Sequence, residues 1–174
     1  AMARRISDHH SATPLVISDL KKKQTEITGE KQVDFPLGFL DEETYFILHN
    51  VRLEDANGFF QMDTLLLSEC YFTVLEVKNW QGTIRFGENG QVTRRTPDDR
   101  EEGFQNPIFQ VKIQVYRLQK WLRNHGFPQL PIYHYVVISS PSTIIESSSS
   151  NTTLPKEVIH NNELFFQMKR LEEK

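Results

Sequence analysis

Four short segments rich in aromatic and β-branched residues lie between residues 45 and 86, and they limit the possible folds more than any other feature of the chain. The segments cover residues 45–53, 59–68, 71–80 and 83–86, and turn-forming pairs such as Asn57-Gly58 separate them. Aromatic and β-branched runs bounded by such turns are typical of β-strands. The middle of the chain is therefore predicted to form a sheet.

A helix and one more strand follow these segments. Asn106 and Pro107 suit the N-cap and first turn of a helix, and Gly126 suits its end. Apolar residues recur inside this helix at steps of three and four, as in a buried stripe: Ile108, Val111, Val115, Leu118 and Leu122. Residues 131–139 then predict a strand whose apolar centre is covered on both faces. Because a crossover helix between strands permits a right-handed return to the sheet, this order predicts an α/β fold with a mixed β-sheet flanked by helices.

The N-terminal part predicts two helices rather than one. Thr13 suits the start of a first helix, and Thr28 suits the start of a second. Pro36 falls within the second helix, where a proline removes a hydrogen bond and clashes with the preceding turn. The predicted organisation is an N-terminal extension or helix at residues 1–25 and a single domain at residues 26–174.

Composition excludes several classes of protein. The chain has 174 residues, enough for one cored domain, and its net charge of −3 provides no overall field that attracts a polyanion. Its single cysteine, Cys70, cannot form an intramolecular disulfide, and no apolar run reaches the length of a membrane span. The low-complexity stretch at residues 140–153 is rich in Ser and Thr and predicts a surface loop. Together these features predict a cytoplasmic protein with no membrane partner.

Two acids are predicted to face each other across neighbouring strands. If a two-residue connection joins the second and third predicted strands, the numbers of paired residues sum to 139. Asp63 then lies opposite Glu76, and Gln61 lies opposite Lys78, with all four side chains on one face of the sheet. A three-residue connection would reverse the alternation and place the two acids on opposite faces.

The repulsion between two facing carboxylates requires compensation. Their β-carbons would lie about 5 Å apart, where two unit charges repel by about 3 kcal/mol at an effective dielectric constant near 20. A proton, the ammonium group of Lys78 or a divalent cation could relieve this repulsion, and carboxylate oxygens suit Mg²⁺. Alternatively, Asp63 and Glu76 lie on a solvated face, where Lys78 only forms a surface ion pair with them.

Four blocks of residues occur in an informative order and spacing. They are Gly29-Glu30, Gln61-Met62-Asp63, residues 76–82 (EVKNWQG) and residues 106–110 (NPIFQ). In this order they resemble the nuclease-related domain, NERD, over roughly residues 26 to 140. That family is similar to the PD-(D/E)xK nuclease superfamily, which includes restriction endonucleases and archaeal Holliday-junction resolvases. The resemblance implies a restriction-endonuclease-like core and metal-dependent phosphodiester hydrolysis.

The resemblance also implies a metal site. Glu30, Asp63 and Glu76, together with the carbonyl group of Val77, would bind Mg²⁺, with Mn²⁺ as a possible substitute. Glu30 lies near the start of the second predicted helix, where an acid is also favourable simply because it faces the positive end of the helix dipole. Both roles remain open for Glu30 at this point.

Two further residues would act on water and phosphate. By the resemblance, Lys78 would orient or activate the attacking water and stabilise charge on the phosphorane. Gln110, near the start of its helix, would position water, a ligand carboxylate or phosphate. With Asp63 and Glu76 they form the predicted catalytic set. A bound cation lowers the pKa of water, so a lysine beside it need not be a strong base.

The predicted substrate is DNA. Arg94 and Arg95 are candidates for binding its phosphates, although the acids that follow them also suit a solvated, charged loop. A homodimer is compatible with this prediction. The leading hypothesis is a Mg²⁺-dependent deoxyribonuclease. The alternatives are a nucleic-acid-binding or scaffolding domain that keeps the fold without cleaving, and a structural domain that uses another surface.

Overall fold

The described part of the chain forms two β-sheets and three α-helices. A computed structural model describes residues 13–87, 90–147 and 153–174. Its elements, in chain order, are α1 (Thr13–Leu37), β1 (Phe46–Asp55), β2 (Gly58–Leu67), β3 (Phe72–Lys78), β4 (Thr83–Phe86), β5 (Val92–Arg95), β6 (Glu101–Phe104), α2 (Pro107–Asn124), β7 (Ile132–Ile138), β8 (Ile144–Ser147), β9 (Val158–His160), a 3-10 turn (Asn161–Glu163) and α3 (Leu164–Glu172). Within these described residues, no helix combines the length and the apolar character that a membrane span requires.

The first sheet has five strands in the order β1-β2-β3-β7-β9. Strands β1, β2 and β3 pair antiparallel, whereas β3, β7 and β9 pair parallel, so the sheet is mixed as predicted. The pairs between β2 and β3 run from Thr64 with Leu75 to Leu67 with Phe72, and their numbers sum to 139. The register predicted from a two-residue connection is therefore confirmed.

The second sheet has four short strands in the order β6-β5-β4-β8 and was not predicted as a separate sheet. Strands β5 and β6 lie largely in the charged stretch for which a solvated loop was one of two interpretations. Charge does not exclude pairing here, because Arg94 lies opposite Glu102 and Arg95 opposite Glu101. Strand β8 lies inside the Ser-rich segment 140–153, so the prediction of a loop is wrong for its four residues, which pair in parallel with β4. Residues 148–152 of that segment lie outside the described part of the chain.

Two apolar clusters cover the two faces of the five-stranded sheet. Between this sheet, α2 and the second sheet lies a cluster that includes Val74, Val136 and Ile138. On the opposite face, residues of α1 and α3 pack over Leu75 and Val137. Since β3 and β7 supply alternate residues to the two clusters, β7 is covered on both faces, which confirms the prediction for residues 131–139.

One continuous helix, α1, replaces the two helices predicted for the N-terminal part, and it crosses the predicted boundary at residues 25–26. Thr28 lies inside this helix rather than at a start. Pro36 lies in the last turn of the helix, where it has no N–H to donate to the carbonyl group of Gln32. That carbonyl instead accepts a hydrogen bond from Asn161 Nδ2 at 2.8 Å. A contact that is distant in sequence thus lets the helix include a proline.

The helix α2 begins and ends as predicted. The side chain of Asn106 accepts a hydrogen bond from the backbone N–H of Ile108 at 2.9 Å, Pro107 occupies the first turn, and Gly126 follows the end of the helix. All five residues of the predicted apolar stripe are buried. The cap and the stripe together fix the position of this helix over the sheet.

Substitution of Gly82 should destabilise the fold far more than substitution of Gly58. Both glycines have positive φ angles, 94° and 93°, where an L-residue costs roughly 1 to 2 kcal/mol. A Cβ atom on Gly82 would lie 2.1 Å from the carbonyl oxygen of Arg95, whereas a Cβ on Gly58 would meet no heavy atom within 4 Å. We expect Gly82→Ala to lower the free energy of unfolding by about 1 to 3 kcal/mol more than Gly58→Ala, measured by urea denaturation. Equal losses in the two variants would contradict this packing.

Candidate active site

The candidate site forms where β2 and β3 stop pairing. Their ladder ends at Thr64 and Leu75, although both strands continue. Beyond that point, the backbone N–H of Val77 donates a hydrogen bond to Asp63 Oδ2 at 2.8 Å. A side-chain carboxylate therefore takes the place of a backbone acceptor, and this arrangement holds Asp63 at the end of the ladder.

The carboxylate of Glu76 lies beside this opening and is buried. Glu76 is 2% exposed, and each of its two oxygens accepts a hydrogen bond. Lys78 Nζ donates to Oε1 at 2.6 Å, and Gln114 Nε2 donates to Oε2 at 2.8 Å. Lys78 Nζ also lies 3.3 Å from Gln110 Oε1. The structure thus brings together three residues of the predicted catalytic set, Glu76, Lys78 and Gln110, between β3 and α2.

Gln114 joins α2 to both diverging strands. Besides Glu76 on β3, its Nε2 atom donates to the backbone carbonyl group of Gln61 on β2 at 3.0 Å. Both hydrogens of this amide are therefore used, while its Oε1 atom is buried without a partner among the described residues. Because Gln114 is itself buried, its loss would leave acceptors in both strands unsatisfied.

A local distortion in the β1-β2 hairpin separates Gln61 from this group. Asn50 has a φ angle of 53°, and the ladder skips it together with the facing Asp63. Asn50 Nδ2 donates to Glu30 Oε2 at 3.1 Å, and Asn50 Oδ1 accepts from Gln61 Nε2 at 3.2 Å. The side chain of Gln61 is therefore bonded toward α1, and the prediction that it shares a face with Lys78 is wrong.

The reason is a one-residue change in the alternation of β2. Met62 and Leu65 are three residues apart, yet both enter the apolar cluster beneath α2. In a regular strand, residues an odd number apart point to opposite faces. The change falls at Asp63 and Thr64, so a prediction from regular alternation holds on one side of this point and fails on the other.

The helix α1 brings Glu30 to the edge of the site. Its close approach depends on Gly29, because a Cβ atom there would lie 2.6 Å from the Cβ atom of Asn79, just after β3. Asn79 Nδ2 in turn donates to the carbonyl group of Thr25 at 3.0 Å. Glu30 bonds to Asn50, and its charge also acts on Asp63. Its predicted role as a metal ligand remains a prediction.

The two carboxylates repel each other as expected. Burial, followed by the negative charge of Glu76, raises the pKa of Asp63 to about 7, against the lowering effects of the Val77 N–H group and Lys78. Lys78 is bonded to Glu76, and the raised pKa of Asp63 favours a proton there. The ammonium group of Lys78 and a proton on Asp63 are two of the three predicted ways of relieving the repulsion, and the alternative of a solvated acid pair does not fit a buried Glu76.

The arrangement offers two carboxylates rather than a complete cage for a metal. Within the described residues, no three His, Cys, Asp or Glu side chains converge on a point that could hold a metal ion. Mg²⁺ often binds through one or two carboxylates and retains several waters. Asp63 and Glu76 provide such a pair of hard oxygen ligands, and Asp63 Oδ1 accepts no hydrogen bond from the described part of the chain. The donor set therefore fits Mg²⁺.

Arg94 and Arg95, the predicted nucleic-acid contacts, lie on β5 in the second sheet and are paired with acids. Arg94 lies 2.6 Å from Glu102, and Arg95 lies 2.8 Å from Asp99. Within the described ranges, neither arginine is bonded to the group around Glu76. Their role in binding phosphate remains a prediction, with each charge already compensated.

Sequence analysis did not predict the hydrogen bond from Gln114 to Glu76 or the one from Asn50 to Glu30. A signal for Gln114 was present, because this polar residue lies next to Val115 within the buried stripe of α2. A buried polar residue needs hydrogen-bond partners, so its position pointed to a polar group on the sheet. For Asn50, the signal was weaker: asparagine adopts positive φ angles more readily than most residues, yet no turn was expected there.

A mixed sheet that places an acid pair and a lysine where two adjacent strands stop pairing, with helices on both sides, is consistent with a restriction-endonuclease-like core. Comparison of sequences agrees with this class, since the nuclease-related domain (NERD) matches residues 25–139. The chain belongs to the NERD family, and the placement within the PD-(D/E)xK superfamily is consistent with this membership.

One relative is a protein of Bacillus anthracis whose description reads only "uncharacterized". It is 31% identical to this chain over 101 residues, which is 58% of the chain and 47% of the relative. This chain thus spans about half the length of that relative. No solved structure matches the chain with significance.

Replacing Asp63 should change the dependence of stability on pH. Since the folded-state pKa of about 7 exceeds the unfolded value of about 3.9, the folded state binds more protons between these two pH values. In EDTA, the contribution of Asp63 to the stability of the wild type should therefore fall as pH rises from about 4 to 7, by at most about 4 kcal/mol. Asp63→Asn should lose less stability over this pH range and should be more stable than the wild type at pH 8. Its amide oxygen can still accept the hydrogen bond from the Val77 N–H, but the amide carries no charge that Glu76 repels.

Urea denaturation at several pH values measures this difference. Asp99→Asn is the matched control, because Asp99 is an exposed acid on the second sheet side of the molecule. It should follow the wild-type profile. Parallel profiles for Asp63→Asn and the wild type would show that Asp63 is not held in a repulsive, buried position.

Replacing Gln114 should destabilise the protein. Gln114→Leu keeps a side chain of similar size but removes donors to Glu76 and to the Gln61 carbonyl, and each unsatisfied acceptor costs roughly 1 to 3 kcal/mol. Gln119→Leu, on the exposed side of the same helix, should change the free energy of unfolding by no more than about 0.5 kcal/mol. Urea denaturation at pH 7 compares the two. Similar values for both would contradict the bonds assigned to Gln114.

Proposed function

We propose that this domain hydrolyses phosphodiester bonds in DNA with the help of Mg²⁺. The observation that carries the proposal is the buried carboxylate of Glu76 beside Asp63, with Lys78 bonded to it at 2.6 Å. Membership of the NERD family supports a nuclease-related activity. The proposal places the enzyme in the cytoplasm, in keeping with a chain that holds a single cysteine.

Asp63 and Glu76 would hold the metal ion, with the carbonyl group of Val77 and the carboxylate of Glu30 as further candidate ligands. Such an ion, when bound, polarises the phosphate and lowers the pKa of a coordinated water. Glu30 already bonds to Asn50 in this structure, so Asp63 and Glu76 form the centre of the proposed site. A cation there would also replace the proton as the charge that offsets the repulsion felt by Asp63. Mn²⁺, which takes similar oxygen ligands, could substitute.

Lys78 would keep its positive charge next to the reacting phosphate. Its Nζ atom lies between Glu76 and Gln110, so its position is fixed from β3 and from α2. A preorganised cation of this kind stabilises negative charge that develops on phosphate oxygens and can orient the attacking water. Gln110 would then position Lys78 and hold water or phosphate through its amide.

A cleavage assay tests the proposal. Purified protein is incubated with linear, nicked, branched and single-stranded DNA in Mg²⁺, Mn²⁺ or EDTA. We expect cleavage with either metal and none with EDTA, and we expect Asp63→Asn and Lys78→Ala to lose about 100-fold or more in rate. Asp99→Asn, an acid-to-amide change far from Glu76 in the sequence, should keep wild-type activity.

Lys78→Ala leaves a buried carboxylate with one donor fewer, so its folding is checked by thermal melting. Lys78→Arg provides a second variant, because it retains a positive charge beside Glu76 while its donors have a different geometry. Binding of DNA without cleavage of any substrate, in protein that melts cooperatively, would overturn the proposal. It would favour the alternative of a nucleic-acid-binding or scaffolding domain that does not cleave. Light scattering on the same samples tests the predicted homodimer.

A further inference from the structure

The side of α2 that points away from the sheet combines large apolar and basic residues. We call this side the outer face of α2, and it consists of Phe109, Lys112, Ile113, Tyr116, Lys120 and Arg123. The whole helix contains four basic residues and no acidic one, in a chain whose acids outnumber its bases. Such a local excess of positive charge is not explained by composition.

Three large apolar side chains of this face are exposed. Phe109 is 53% exposed, Ile113 57% and Tyr116 65%. They follow one another at steps of four and three residues, so they form one row along the helix. Seven residues separate the two aromatic rings, a distance of about 10 Å along the helix axis at about 1.5 Å per residue. This spacing equals about three bases stacked at about 3.4 Å each.

The charges of this face are only partly compensated. Lys112 forms an ion pair with Glu157 at 3.3 Å. In the described parts of the chain, Lys120 and Arg123 form no ion pair. The fourth basic residue of α2, Arg117, points to the hairpin and is bonded to Asp55 at 2.7 Å, so it is not part of this face. Two cations without an ion-pair partner among the described residues thus follow the exposed rings toward the C-terminal end of α2.

The outer face lies next to the candidate active site. Gln110 and Gln114, which face Lys78 and Glu76, lie one residue away from Phe109 and Ile113. One residue corresponds to about 100° of rotation around a helix. The exposed row therefore borders the row that faces the site, and Phe109 stands at the same end of α2 as Gln110.

We propose that the outer face of α2 binds a single-stranded stretch of nucleic acid and leads it toward the site between β3 and α2. Phe109 and Tyr116 would stack on bases, which duplex DNA keeps stacked within its own helix. Lys120 and Arg123 would contact phosphates. The identity of the ligand rests on the proposed function, because the proposed hydrolysis of phosphodiester bonds at the neighbouring site favours a nucleic acid.

A second copy of this chain fits the same face less well. In a symmetric dimer both copies would contribute the same patch, so the positive charges of Lys120 and Arg123 would enter one interface twice with no added acid to offset them. An acidic ligand compensates these charges instead. The exposed rings and the unpaired cations together therefore favour a polyanion with aromatic bases over a homodimer contact.

Fluorescence anisotropy in EDTA tests this inference without any cleavage. The probe is a fluorescein-labelled oligothymidine, compared with a labelled duplex of the same length. We expect the wild type to bind the single strand more tightly than the duplex, and Phe109→Ala and Tyr116→Ala each to weaken single-strand binding about tenfold. Lys120→Ala should reduce the slope of log affinity against log salt concentration by about 0.7.

Phe166→Ala and Arg170→Ala are the matched controls, because both residues are exposed and lie on α3, which packs on the opposite face of the five-stranded sheet from α2. They should bind like the wild type. Unchanged affinity in both ring variants, equal losses in the controls, or absence of single-strand binding would overturn the inference. So would a wild-type dimer that dissociates on Tyr116→Ala, since a second copy would then occupy the face.

The two proposals can fail separately. If the ring variants lose binding in EDTA but the wild type cleaves no DNA with Mg²⁺, the binding surface is supported and the hydrolytic function is contradicted. If the wild type cleaves but the ring variants bind and cleave normally, the hydrolytic function is supported and the binding surface is contradicted.

Discussion

The burial of the Glu76 carboxylate is the constraint on which the rest of the structure depends. An isolated charge in such a place would cost several kcal/mol, so both of its oxygens need donors. Lys78, two residues along the same strand, serves one oxygen, and Gln114 on α2 serves the other. Gln114 can reach it only because α2 is held over the sheet by its apolar stripe and begins at the Asn106 cap. The packing of the core therefore also supplies a hydrogen bond that the buried Glu76 carboxylate needs.

The same charge explains why two neighbouring strands part at this point. Asp63 lies near Glu76, is repelled by it, and accepts from the Val77 backbone where a strand partner would otherwise be. On the other strand, the carbonyl group of Gln61 finds its donor on α2. Side chains thus replace the backbone ladder on both sides of the opening. An opening of this kind between two strands accommodates a pair of carboxylates without leaving buried backbone groups unsatisfied.

The sequence was informative wherever short-range rules decide the structure. A two-residue connection set the β2-β3 register, and an Asn-Pro pair set the start of α2. It was misleading where distant contacts decide. The Gln32 carbonyl left free by Pro36 is bonded by Asn161, which lies far along the chain, so one helix forms where two were predicted. Gln61 turned toward α1 because the alternation changes at Asp63, and no local pattern signals that change.

The electrostatics of Asp63 distinguish a functional requirement from a structural one. An asparagine at this position could accept the same hydrogen bond from Val77 without repelling Glu76, and it would remove the cost that raises the pKa of Asp63 to about 7. A position that serves only the fold has no physical need for an acid. Strained or repulsive groups that persist in a stable fold concentrate at functional sites, where activity is gained at the expense of stability. The acid at position 63 therefore supports a site that needs two carboxylates together, and a divalent cation is the ligand that makes such a pair favourable.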